Sequence, residues 1–132
     1  MFFDCPVENL NGISNWNVSN VTNMDRMFFD CPVGNLNGIS NWNVSNVTNM
    51  QNMFQNSHVE NLNGISNWNV NNVDSMDFMF DNCQNLIDAS GINDWNIKSD
   101  CNFSNMFSNC STHPSFTKVT GTWDGSGTFL PN

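Results

Sequence analysis

The fourteen residues from Asn11 to Met24, NGISNWNVSNVTNM, return unchanged at Asn37 to Met50 and with three substitutions at Asn63 to Met76. Self-similarity at a fixed period outranks every other sequence signal, because it requires stacked copies of one small unit. Tryptophans at 16, 42, 68 and 95 are spaced by 26, 26 and 27 residues. Met-Phe pairs at 1, 27, 53, 79 and 106 give the same ruler. Laid on that period, Leu10/Leu36/Leu62, Ile13/Ile39/Ile65/Ile92, Val18/Val44/Val70/Ile97 and Val21/Val47/Val73 form apolar columns. A further set is Met24/Met50/Met76/Phe103, Phe28/Phe54/Phe80/Phe107 and Cys31/Ser57/Cys83/Cys110. Such columns are the core of a solenoid, in which no single coil buries its apolar side chains without a neighbour.

Within one coil, Trp16, Asn17 and Val18 alternate as a short strand does, which predicts a strand over Asn15 to Ser19. Asn-Gly at 11–12, 37–38 and 63–64 predicts a corner, since both residues tolerate positive φ. From Val21 the spacing changes to Val21, Met24, Met27 and Phe28, one face of a short helix. Thr22, Thr48 and Asp74 are its candidate caps, with Asp25, Gln51 and Asp77 three residues later. The polar column Asp4/Asp30/Asn56/Asn82/Asn109 marks its end. The expected fold class is an α/β solenoid, a leucine-rich-repeat-like stack of about four 26-residue coils, each a short parallel strand plus a short helix. Residues 1–110 make the repeat, with an incomplete first coil, and 111–132 a capping segment in which Thr117 to Phe129 alternates around a Gly-containing turn like a hairpin. The uncapped first coil is a candidate for end-to-end contact or marks the loss of upstream coils. The first two copies, Met1 to Met24 and Met27 to Met50, differ only by Glu8 against Gly34, as recent duplication would leave them.

Composition bounds the chemistry. Twelve acidic residues against three Lys and Arg give a net charge of −9. Arg26, Lys98 and Lys118 cannot assemble the basic footprint of a nucleic-acid binder. No apolar run approaches the ~20 residues of a membrane helix, so direct membrane insertion is not expected. Asn is over-represented at 28 positions, yet the periodic Trp, Met and Phe argue against disorder. Of the five cysteines, Cys5, Cys31, Cys83 and Cys110 share one column and Cys101 stands apart. Stacking would bring Cys5 near Cys31 and Cys83 near Cys110, a spacing that suits either disulfides or small buried thiols. His58 and His113 lie apart from the cysteines, and Asn or Gln replaces the acidic residues in sister coils, so no metal site, cofactor or catalytic set is predicted.

The run W-N-V-S-N-V-T-N-M-x-x-M-F-x-x-C, Trp16 to Cys31, repeated at Trp42 to Ser57 and Trp68 to Cys83, resembles the 25-residue surface repeat of mycoplasma lipoproteins and the wider BspA-like leucine-rich-repeat surface proteins. The resemblance spans Met1 to about Cys110 and weakens in the fourth unit, at Asp100 and Phe103. It implies a leucine-rich-repeat-like solenoid used in adhesion or protein contacts at a cell surface, with no catalytic residues in the pattern.

Functional candidates are the outward strand positions. These are Asn15/Asn41/Asn67/Asp94, Asn17/Asn43/Asn69/Asn96 and the flanking Ser19/Ser45/Asn71. Amides donate and accept at once, so a flat face of them suits peptide or sugar partners. The same columns also suit Asn ladders that satisfy one another. The leading expectation is a non-enzymatic interaction module of an adhesin-like surface protein that binds protein or glycan. An ice-binding solenoid and a passive spacer or intracellular scaffold are the alternatives. Sequons at Asn17, Asn20, Asn43, Asn46, Asn102 and Asn109 follow from the repeat; glycans at Asn17 and Asn43 would cover the proposed face.

Overall fold

The computed structural model describes residues 7–132. Met1, Phe2, Asp4 and Cys5, the first members of their columns, lie outside that range. The chain winds as a stack of coils, marked by four 3-10 turns at Asn11–Ile13, Asn37–Ile39, Asn63–Ile65 and Ser90–Ile92, each packed on the next. The columns form a continuous core. Leu36, Ile39, Val47, Met50, Met53 and Phe54 are almost wholly buried, as are Leu62, Ile65, Val73, Met76, Met79 and Phe80 one coil later. Phe28, Phe54, Phe80 and Phe107 stack along the axis with centroids 5.5, 5.5 and 5.0 Å apart.

The coil's interior differs from the sequence expectation in two ways. No strand forms over Asn15 to Ser19 or its copies, although burial alternates in the copies as expected, with Trp42 and Val44 buried and Asn43 exposed; in the first coil Trp16, expected in the core, is 48% exposed. Parallel pairing falls elsewhere, as isolated bridges that link Asn9 to Asn35, Asn61 to Asp88, and Asn23 to Asn49 to Ser75 to Asn102. No α-helix follows either. The segment from Met24 to Cys31 is a run of overlapping β-turns: Met27 donates to Met24, Phe29 to Arg26 and Cys31 to Phe28. Arg26 and Asp30 have φ of 57° and 58°, the positive value that the third position of a type II turn requires.

That geometry turns alternate backbone N–H groups along the stack. Met24, Arg26, Phe28 and Asp30 donate to the carbonyls of Asn49, Gln51, Met53 and Gln55, and Met50, Asn52, Phe54 and Asn56 to those of Ser75, Asp77, Met79 and Asp81. A helix would spend these donors on its own carbonyls, whereas the turns spend them between coils. The apolar spacing that suggested a helical face is met equally well by the turns.

The expected helix caps therefore have other work. Thr48 donates through its backbone N–H to Thr22 O, and Asp74 to Thr48 O. The turn is instead opened by the neighbouring column: Asn23 Oδ1 accepts from Asp25 N–H at 2.8 Å and Asn49 Oδ1 from Gln51 N–H at 2.9 Å. At the far end Asp30, Asn56, Asn82 and Asn109 all take positive φ, which short polar side chains tolerate best among non-glycine residues.

The Asn-Gly corner exists, but for a different reason from the one expected. Gly38 and Gly64 do not adopt positive φ; a Cβ on Gly38 would stand 2.5 Å from the Leu10 carbonyl carbon, and one on Gly64 2.6 Å from that of Leu36. The corner needs glycine so that one coil's backbone can touch the next.

At the other end a hairpin of β1 (Gly121–Trp123) and β2 (Phe129–Pro131) lies over the last coil. Phe107 N–H donates to Gly127 O at 3.0 Å, and Asn105 N–H to Thr128 Oγ1 at 2.7 Å. The Trp123 and Phe129 rings meet Phe107 and Phe103 edge-on at 5.4 and 5.3 Å. The coil's apolar edge is thereby covered with aromatic surface.

Candidate functional site

The segment that carries the candidate asparagines is fixed from below by tryptophan. Trp42 Nε1 donates to Ile13 O at 3.2 Å, Trp68 Nε1 to Ile39 O at 3.1 Å and Trp95 Nε1 to Ile65 O at 3.0 Å. These indoles are core, as their phase with the Val column predicts. With Trp and Val pointing inward, the residue between them points outward.

Asn15, Asn17, Asn41, Asn43, Asn67, Asn69, Asn71, Asp94 and Asn96 are exposed, and Ser19 and Ser45 half-buried. The asparagines do not pair across coils as a ladder. Asn17 Oδ1 accepts from the Ser19 N–H at 3.0 Å and from Ser19 Oγ at 2.6 Å, within one coil. Asn43 repeats this with Ser45 at 3.1 and 2.6 Å, and Asn69 Oδ1 accepts from Asn71 N–H at 3.0 Å. These are Asx turns, in which the side-chain oxygen folds back on the backbone two residues on. The oxygen is thus fixed, and among the described residues the Asn17, Asn43 and Asn69 Nδ2 groups have no protein partner, so three amide donors stand in a row at coil spacing.

Ladders occur on other columns. Asn46 Nδ2 donates to Ser19 O and Asn72 Nδ2 to Ser45 O, both at 2.7 Å. Asn56 donates to Asp30, and Asn82 Nδ2 to Asn56 Oδ1 at 2.7 Å. Asp94 is drawn into the cap, where its Oδ1 accepts from Thr117 Oγ1 at 2.6 Å. It is thereby set apart from Asn15, Asn41 and Asn67. Asn71 and Asn96 line a shallow hollow of about 240 Å³ with Ile97 and Lys98. Lys98 is paired there with Asp74, which holds its ammonium above the ordinary lysine value.

A second recess was missed by sequence reasoning. Glu8, Pro32, Gly34, His58, Glu60 and Asn85 line an open hollow of about 520 Å³ on another edge of the stack. The signal for it was present: Gly34 in place of Glu8 is the only difference between the first two copies, and it opens a gap between the Glu8 and Glu60 side chains. Among the described residues no group of three or more His, Cys, Asp or Glu side chains is arranged to hold a metal ion, and no helix is long and apolar enough to cross a membrane.

Stacked 26-residue coils with a polar, amide-bearing flank define a tandem-repeat protein. The chain belongs to the family described as Mycoplasma protein of unknown function, DUF285, whose model matches residues 1–126. No curated protein and no solved structure matches it.

Proposed function

We propose that the chain is a non-enzymatic interaction module that binds a protein or glycan through the face built by Asn17, Asn43 and Asn69, in a surface protein of adhesin type. The observation that carries this reading is the row of outward Nδ2 donors, each held in orientation by its own Asx turn. A donor fixed before binding loses little rotamer freedom when it meets a carbonyl or hydroxyl acceptor. Repetition at coil spacing lets several weak contacts act together. The finer kinship with BspA-like leucine-rich-repeat surface proteins belongs to the same proposal and rests on the Trp16 to Cys31 pattern.

Glycan-array and pull-down binding, compared between the natural chain and the triple variant Asn17→Lys, Asn43→Lys, Asn69→Lys, tests the reading. Because all three positions are exposed, the variant should keep its thermal transition and lose its ligands. Retention of every interaction by the folded variant would exclude this face.

A further inference from the structure

The cysteine column has a use that the interaction reading does not absorb. Cys83 Sγ donates to Phe54 O at 3.2 Å and Cys110 Sγ to Phe80 O at 3.0 Å, so the two thiols occupy the same place on consecutive rungs. The rung below them shows how close such neighbours come: Ser57 Oγ lies 3.3 Å from Cys83 Sγ. The Phe80 and Phe107 rings beside the pair stack at 5.0 Å. A rung of this height falls inside the ~4.4–6.8 Å Cα separation that a disulfide spans. The two thiols differ in access. Cys83 is fully buried, whereas Cys110 is half-buried and lines a cleft of about 140 Å³ with His113, Asp124 and Ser126.

We propose that Cys83 and Cys110 form a dithiol site that exchanges with small organic disulfides and closes into a staple between consecutive coils. Cys110 is the attacking group: its thiolate displaces one thiolate from the reagent, breaking the reagent's S–S bond and forming a mixed disulfide. Cys83 then attacks the Cys110 sulfur, releases the second thiolate and completes the Cys83–Cys110 bond. Two protein thiols lose two electrons to the reagent, and their two protons pass to the two thiols that leave. The contact with Cys83 keeps the Cys110 thiol below its ordinary pKa, while that contact and burial push Cys83 up. Cys101 is held apart from this chemistry, since burial and the nearby Asp77 and Asp74 charges push its thiol up to about 12.

The test is treatment of the folded full chain with 2-hydroxyethyl disulfide, then non-reducing peptide mapping. The expected product is a Cys83–Cys110 linked peptide with the loss of two titratable thiols and Cys101 unmodified. In Cys83→Ser, which the column tolerates because Ser57 already occupies it, the reaction should stop at one mixed disulfide on Cys110. In Cys110→Ser, Cys83 should stay unmodified while the chain is folded. A natural chain that holds the reagent on Cys110 without resolving it, or never reacts there, would overturn the proposal. Should Cys83→Ser fail to show a native thermal transition, the linked peptide in the natural chain decides alone.

Discussion

The two flanks of each coil hold the stack by different means. On the turn flank, four consecutive inter-coil backbone bonds run from Met50, Asn52, Phe54 and Asn56, and the phenylalanine column lies directly beneath. On the asparagine flank, among the described residues, no backbone bond joins Asn41 to Ser45 to the next coil; the Trp68 indole and the Asn72 amide make the link instead. The difference teaches that inter-coil backbone bonding is concentrated on one flank of the coil. The turn flank spends its backbone on cohesion, and the asparagine flank leaves the Asn17, Asn43 and Asn69 Nδ2 groups outward.

The largest expected break is on the turn side. Phe54→Ala removes a ring stacked on both neighbours and should cost ~3–5 kcal/mol, read as a lower urea midpoint. A paired substitution sharpens the role of the corner glycines. Gly64→Ala pushes a methyl into the Leu36 backbone and should cost roughly 1–3 kcal/mol, whereas Gly12→Ala meets nothing within 4 Å and should stay within about 0.5 kcal/mol. Equal effects from the two would contradict the close-approach account.

Smaller again is Asn82→Ala, which places a methyl at φ 59° and loses the Asn56 contact; a cost of about 1–2 kcal/mol is expected by the same unfolding assay. The smallest effect is pH-linked. Burial raises the Asp77 carboxyl above its ordinary value, against the opposing Ser104 backbone and Ser75 side-chain hydrogen bonds. A folded-state pKa above the unfolded one means that the folded chain binds the proton more tightly. This group therefore opposes folding when ionised and gains stability as pH falls from neutral into its folded titration range. Asp77→Asn should remove that rise when the two chains' unfolding midpoints are compared across pH.

What the sequence makes legible follows from which interactions repeat. The period, the core columns and the outward phase of Asn17 and Asn43 are written in side chains, and apart from Trp16, which is exposed in the first coil, they are found where the spacing puts them. The turn run is not legible in the same way, because Met24, Met27 and Phe28 satisfy a helical face and a chain of turns alike. Half of its backbone signal was visible in Asp30, Asn56, Asn82 and Asn109, whose type suits positive φ. The other half falls on Arg26, Asn52, Phe78 and Asn105, where Arg and Phe carry no such hint. The asparagine side misled in the opposite sense: period-two burial suggested a strand, but the inward Trp and Val produce that alternation without any pairing.

Residue-resolved amide hydrogen exchange of the intact chain tests the contrast most directly. The N–H groups of Met50, Asn52, Phe54 and Asn56 should exchange only through opening of the stack, and those of Asn41 and Asn43 far faster. Protection of Asn41 and Asn43 equal to that of the turn residues would mean that a paired strand runs through the asparagine face, and would contradict the account.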